Sequence, residues 1–291
     1  MSTPLPKIAS LRYIFDNEHD SLTYLLENDV FYNEPICPKC SNPLRVYIKR
    51  GMYECRRRSC NASFNIRVHT IFHNRRLPCS KILELAYYWL QKIPVTSVIS
   101  MTGHSSQTIS SLWRDFRDLV SSAVDDEDMV IGGPNIVVEI DESKFGKRKY
   151  HRGHRVEGVW VLGGVERTAE RRMFAVAVPD RTTETLQQLI QQYVRPGSII
   201  HTDLWRGYNG LELLGYRHET VNHSRAFRDP QTGACTNTIE GTWAGIKVGI
   251  PARNGVEREM GSRLMEFIWR RKNANDLWGG FLRALGSIYF S

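Results

Sequence analysis

Apolar positions recur at helical spacing over the first part of the chain and at strand spacing over much of the second. In the lead-in, "SLTYLLENDV" carries a stripe at Leu22, Leu25 and Leu26, so residues 1–34 predict a short helical segment. Residues 35–75 break into short strand-like runs. Residues 76–124 turn helical again. "SKILELAYYWLQKI" predicts an amphipathic helix opened by Ser80, and "PVTSVISMTG" a short one running from Pro94 to near Gly103. "SSQTISSLWRDFRDLVSSAV" predicts a third, with Ile109, Leu112, Trp113, Phe116 and Val120 on its inner face. Helix, short helix, glycine turn and longer helix is helix-turn-helix order; an ordinary helical connector is the competing view.

The run "DDED" followed by "GGP" makes 125–135 a solvated linker. Beyond it the spacing changes. "IVVEID", "EGVWVLGGVE" and "RMFAVAVPD" read as strands, and "TTETLQQLIQQYV" as a helix capped by Thr182 or Thr183. Then come the strand "SIIHTD", a helix around "LWRGYNGLELLG", the strand "RHETVNH" and the helix "CTNTIEGTWAGIK". Residues 136–256 therefore predict a mixed sheet with helices packed on it, of α+β or α/β class. Residues 257–291 predict a C-terminal helical tail.

Composition adds a partner to this outline. The 291 residues are 41% hydrophobic, enough for a sizeable core, and the net charge of +8 favours a polyanion. No apolar run is long enough to span a membrane and the N-terminus lacks the form of a secretory signal. The expectation is a soluble, intracellular protein without a membrane partner.

Four of the six cysteines cluster, as Cys37-x2-Cys40 and Cys55-x4-Cys60, with a hairpin's length between the pairs and Gly51 near its bend. Each pair suits a tight turn presenting two thiolates, and four thiolates make a closed tetrahedral site for one structural Zn²⁺. This predicts a zinc ribbon over 35–75. Cys79 and Cys235 read as small buried residues. The ribbon is basic: Arg56, Arg57 and Arg58 are candidate phosphate contacts. On the third helix, Ser106, Gln107, Ser110 and Arg114 are the candidate base-reading residues.

Three acids fall at comparable places: Asp141 after one strand, Asp203 after another, Glu240 on a helix. Brought together, they would repel unless a cation lay among them, and hard oxygen ligands select Mg²⁺ or Mn²⁺. Pattern alone favours separate surface carboxylates, since the chain has 31 acids. Strand alternation puts Glu139 and Asp141 on one face and leaves both open as candidates, with Glu142 on the other face as a rim residue. Just behind them runs a cationic stretch, Lys144, Lys147, Arg148, Lys149 and Arg152, able to offset the repulsion between an acidic site and DNA. His201, His218 and His223 flank the acids, for proton transfer, DNA contact or packing.

The stretches "EIDESKFGKRKYHRGHRVEGVWVLGGVER", "HTDLWRGY", "YRHETVNHS" and "GACTNTIEGTWAGIK" resemble the Merlin-type DDE transposases, eukaryotic relatives of the bacterial insertion-sequence transposases with an ISXO2-like transposase domain. The resemblance runs from near Pro35 to "LMEFIWRRKN". It implies an RNase H-like catalytic domain over 136–256 and carries the catalytic, metal-holding triad onto Asp141, Asp203 and Glu240. Lys247 matches a family lysine and would share Glu240's helix face as a phosphate contact. Cys235 stands where the family pattern has histidine. The implied activity is cut-and-paste transposition with two Mg²⁺ or Mn²⁺ ions: binding of terminal inverted repeats, hydrolysis at the element ends, and joining of the 3′-OH ends to target DNA. Two ends handled together imply a homodimer or larger, and a eukaryotic family implies the nucleus, with the cytoplasm otherwise. The alternative is a transposase-derived DNA-binding regulator without cleavage; a nuclease without strand transfer would use the same acids.

Overall fold

The computed structural model describes residues 5–32, 35–146, 158–222, 228–250 and 257–288. The chain divides into two compact units, Met1–Ala123 with Asn273–Ser291, and Val124–Lys272.

The first unit opens with helices α1 (Ile8–Asp16) and α2 (Glu18–Glu27); the Asn17 side chain between them accepts from the backbone N–H groups of His19 and Asp20 and starts α2. Strands β1 (Leu44–Tyr47), β2 (Met52–Cys55) and β3 (Ser63–Asn65) form an antiparallel three-stranded sheet. Gly51, at φ +60°, makes the bend of the β1–β2 hairpin. Three helices follow: α3 (Cys79–Leu90), α4 (Val95–Thr102) and α5 (Ser106–Ser122). Gly103 closes α4 in the left-handed conformation, and the Ser105 side chain caps α5. Ile109, Leu112, Phe116, Leu119 and Val120 of α5 are buried, while Trp113 is half-buried.

Ser80 does not open α3. The helix begins one residue earlier and no side chain of its own caps it. Glu18 does so from α2: its carboxylate accepts from the N–H groups of Cys79 (3.0 Å) and Ser80 (2.9 Å) and pairs closely with Arg67.

In the second unit the "DDED" run is not an open linker. It forms a short helix, α6 (Asp126–Met129), closed by a reciprocal Asp125–Asp128 capping box, and Asp128 also pairs with Lys272. After β4 (Ile131–Gly132) come the antiparallel strands β5 (Val137–Phe145), β6 (Val159–Glu166) and β7 (Met173–Val178). Helix α7 (Thr183–Tyr193), capped by Thr182, leads to β8 (Val194–Arg195), β9 (Ile199–Thr202) and β10 (Arg217–Thr220). Strand β9 lies parallel to β5, and β10 parallel to β9, so the main sheet has the order β10-β9-β5-β6-β7. β4 and β8 pair separately. The stretch "LWRGYNGLELLG" forms two 3-10 turns, Arg206–Tyr208 and Leu211–Leu214, rather than a helix; glycines with positive φ at 210 and 215 bracket the second. Helices α8 (Asn237–Gly249) and α9 (Glu257–Lys272) complete the unit, and α10 (Leu277–Ser287) belongs to the first. The predicted C-terminal tail thus contributes one helix to each unit.

Contacts from β5 show which face does what. Glu139, Asp141 and Phe145, two or four residues apart, all reach α8: Glu139 to Thr238, Asp141 to Trp243, and Phe145 to the Trp243 ring. Glu142, on the other face, acts on Tyr208 in the first 3-10 turn. The core between sheet and helices includes Val138, Ile140, Leu162, Phe174, Leu186, Ile190, Ile239 and Ile246, all at 0–1% exposure.

Candidate metal centres and catalytic site

The four clustered cysteines converge. Two turns of the same build present them. In one, the Cys37 N–H donates to the Asn42 carbonyl; in the other, the Cys55 N–H donates to the Ala62 carbonyl, both at 2.8 Å. Ser41 and Asn61, each just after the second cysteine of its pair, adopt positive φ. The sulfurs of Cys37 and Cys60 are 3.8 Å apart and those of Cys40 and Cys55 3.4 Å, all four within 4.8 Å of one another. A tetrahedron with Zn–S arms of about 2.3 Å has edges of about 3.8 Å, so the thiols are arranged as one Zn²⁺ needs them. The backbone N–H of Asn42, then its side chain, pull the Cys40 thiol down to about 6; the neighbouring Cys40 sulfur and burial push Cys60 up to about 12. The Cys40 thiolate forms readily, whereas Cys55 and Cys60, both pushed up, need a cation to follow. Arg56, Arg57 and Arg58 are exposed beside this site, and Ser106, Gln107, Ser110 and Arg114 are exposed on α5. Cys79 and Cys235 are buried.

The carboxylates are held differently. Asp141 sits in β5, half-buried. Directly across on β6 is Gly163, where an added Cβ would lie 2.5 Å from the Trp243 ring. That missing side chain lets the indole lie against the sheet, and its N–H donates to Asp141 Oδ2 at 3.0 Å. Asp203 follows β9 and accepts from the Trp205 N–H at 2.8 Å. Glu240 is exposed on the first turn of α8 and accepts from the Thr236 hydroxyl at 3.0 Å. Burial pushes Asp141 up to about 6; Trp243 and the Glu142 N–H oppose this, while the charges of Asp203 and Glu240 add to it. Asp141 therefore feels both other acids. The oxygens of the three acids do not meet the mutual 4.8 Å spacing that the cysteines do. Carboxylate oxygens are the donor set for Mg²⁺ or Mn²⁺.

Glu139 is fully buried and anchors the helix that bears Glu240. Its carboxylate accepts from the N–H of Thr238 (2.6 Å), the N–H of Ile239 (3.0 Å) and the Thr238 hydroxyl (2.9 Å), with Arg167 at 3.5 Å. No side chain of α8's own cap does this, so β5 fixes the start of α8 from outside. Cys235 Sγ lies 3.9 Å from the same carboxylate.

Glu142 is not a rim residue. Its Oε1 is buried without a hydrogen-bond partner among the described residues, as is the Tyr208 hydroxyl. Burial pushes Glu142 up to about 7, Asp141 and Asp203 adding to the shift and Tyr208 and Arg181 opposing it. The Arg181 guanidinium stacks on Trp160 at 3.8 Å and on Trp205 at 4.6 Å, with the Lys144 ammonium 5.3 Å from Trp160. Periodicity does not mark this aromatic–cationic cluster; Trp205, two residues past Asp203, is its one sequence signal.

His201 is buried, and burial lowers its pKa. Its Nδ1 accepts from the Cys235 N–H at 3.4 Å and its Nε2 faces Glu219 at 3.3 Å, so it ties β9 to the approach to α8. His218, also lowered by burial, braces Thr202 at 2.9 Å. Lys247 is exposed, with its ammonium 5.6 Å from the Phe145 ring. Lys147, Arg148, Lys149, Arg152 and His223 lie outside the described residues; Lys144 is described and exposed.

A sequence profile of the ISXO2-like transposase domain matches residues 123–270, just over half of the chain. The chain belongs to that family. The matched span coincides closely with the second unit of this transposase-family chain, Val124–Lys272. The chain is also 31% identical over 104 residues to an "Uncharacterized transposase-like protein" of Haemophilus influenzae, covering 35% of this chain and 83% of that relative. The family is one of transposases, whose substrate is DNA. The Merlin subdivision and the nuclear expectation drawn from it rest on the sequence resemblance alone, and this relative is bacterial. No helix among the described residues is long and apolar enough to cross a membrane.

Proposed function

We propose that the chain is a DDE transposase whose second unit is an RNase H-like catalytic domain. The sheet order β10-β9-β5-β6-β7 supports this, with three antiparallel strands followed by two parallel to the first. The observation that carries the reading is the placement of Asp141 on β5, Asp203 just after the neighbouring parallel strand β9, and Glu240 on α8, whose start β5 holds through Glu139. Mg²⁺ or Mn²⁺, two ions when bound, would activate the attacking oxygen and stabilise the leaving one. Asp141, Asp203 and Glu240 are the residues to hold them. Trp243 orients Asp141, and Glu139 fixes the helix that presents Glu240. Lys247, about two turns further along that helix on nearly the same side, meets phosphate. The water-derived cut frees a 3′-OH, and that hydroxyl attacks target DNA without a covalent protein intermediate.

The first unit supplies recognition. The four cysteines hold one structural Zn²⁺, and the ribbon arginines and the exposed face of α5 contact terminal inverted repeats. Handling both ends of the element requires a homodimer or larger.

Purified protein is expected to nick and join DNA carrying the element ends in Mg²⁺ or Mn²⁺. Asp203→Asn should lose both products while keeping DNA affinity within a few-fold. A wild-type protein that binds the ends and never nicks them would instead be a regulator. Nicking without joined product would make it a nuclease.

A further inference from the structure

An open groove of about 440 Å³ runs along a second side of α8, away from Glu240 and lined by Arg171, Thr238, Gly241, Thr242, Phe267 and Arg271. Its floor is the small-residue side of α8. Gly241 has nothing within 4 Å of the place a Cβ would occupy, and a Cβ at Gly245 would only touch Phe267 at 3.7 Å. No acid lines it. Two arginines do, Arg171 from the β6–β7 turn and Arg271 from α9. They act on each other as like charges, and among the described residues neither pairs with an aspartate or glutamate. The Arg271 guanidinium reaches only the Met173 sulfur (3.1 Å), the Thr242 hydroxyl (3.5 Å) and the Phe267 ring. Most of its donors are left for something else. Two like-charged guanidinium groups lining one groove with no carboxylate among its described lining residues are less favourable than the same pair with an anion bound beside them.

We propose that this groove holds a backbone phosphate of the DNA strand on which the neighbouring carboxylates act. The inference rests on the transposase reading above and adds a second point of grip to it. The groove side of α8 lies roughly 140° around the helix from the Glu240–Lys247 side, at 3.6 residues per turn. A helix with side chains is about 10–12 Å across, and a strand of duplex rises about 3.4 Å per nucleotide. A strand passing over α8 therefore sets down in the groove a phosphate about three nucleotides from the reacting one. The groove is also wired to the helix anchor. Arg271 donates to the Thr242 hydroxyl, Thr242 donates to the Thr238 carbonyl, and the Thr238 hydroxyl donates to Glu139. A phosphate bound there bears on the same helix start that positions Glu240.

Arg171 is the residue to change first, because it is exposed and, among the described residues, its side chain makes no hydrogen bond or ion pair. The measurement is the affinity of the full chain for a fluorescein-labelled duplex across a salt series, without added divalent metal, so that no strand is cut. Arg171→Gln should lower the slope of log K against log salt by about 0.9, the share of one phosphate contact. Arg171→Lys should keep the wild-type slope, and Arg171→Gln combined with Arg271→Gln should lose about twice as much. An unchanged slope in folded Arg171→Gln overturns the groove while leaving the catalytic reading in place, provided that variant still nicks DNA in Mn²⁺. A change in self-association with an unchanged slope also overturns it, making the groove a contact between copies. A wild-type chain that binds no duplex would overturn both readings.

Discussion

The two candidate cation sites of this chain are built on opposite plans. The thiols of Cys37, Cys40, Cys55 and Cys60 come from two short turns and meet within 4.8 Å. The carboxylates of Asp141, Asp203 and Glu240 come from a strand, the end of its neighbour and a helix; Asp203 and Glu240 act on Asp141, and the three do not close to that distance. Protonated thiols carry no charge and can approach one another, and four of them make a site closed on all sides. Carboxylates at neutral pH cannot, so the second site is held by its surroundings: Trp243 on Asp141, the Trp205 N–H on Asp203, the Thr236 hydroxyl on Glu240, and Glu139 on the helix itself. The difference separates a site that stabilises a fold from one that leaves room for substrate.

The sharpest way to break the comparison is at the thiols. Structural zinc contributes about 10–16 kcal/mol in small zinc modules, more than most domains' whole stability. Cys55→Ser should release zinc and unfold the ribbon, read as lost zinc by atomic absorption and lost protection of 35–75 from proteolysis. Unchanged zinc content would remove the four-cysteine assignment. Next is Glu139. Its replacement by alanine strips a buried carboxylate from two helix N–H groups, a hydroxyl and Arg167, and should destabilise by about 3–5 kcal/mol. Chemical denaturation of Glu139→Ala against Glu139→Gln checks it: glutamine keeps one acceptor and should recover part of the loss.

The smallest effect concerns pH. Folding raises Asp141 to about 6 and Glu142 to about 7. For an acid so raised, the folded state resists ionisation, so stability is greatest below about pH 4 and falls as pH rises through the folded values. The loss from Asp141 is at most about 3 kcal/mol. Without added Mg²⁺ or Mn²⁺, the wild-type unfolding midpoint should fall between pH 5 and 7.5 more than that of Asp141→Asn. Equal slopes would remove the electrostatic account of the site.

How much of this could be read from the residues depends on distance along the chain. The cysteine turns, the Gly51 bend, the Gly103 and Ser105 boundaries and the buried stripe of α5 are encoded within a few residues, and each is where spacing predicts it. Asp203 and Glu240 fall after a strand and on a helix as read, but β5 runs on through Asp141 to Phe145 instead of ending before it, and only the resemblance selected Asp141 over Glu139. The structure shows why alternation could not choose: both point to α8, and what separates them is that Glu139 meets N–H groups of residues about a hundred positions away. The same long reach hid Glu18 as the cap of α3, where Ser80 stood in the expected place. Glu142 looked like a rim residue because the group it acts on, Tyr208, lies 66 positions away, in a segment whose glycines turn a predicted helix into two 3-10 turns.

The central claim is that Asp141, Asp203 and Glu240 together hold a divalent cation. Titration of the zinc-loaded protein with Mn²⁺, followed by the loss of the free-ion electron paramagnetic resonance signal, tests it without reference to activity. Wild-type protein should take up Mn²⁺, and the variant Asp141→Asn, Asp203→Asn, Glu240→Gln should take up none beyond background. Equal uptake by the two proteins would contradict the account.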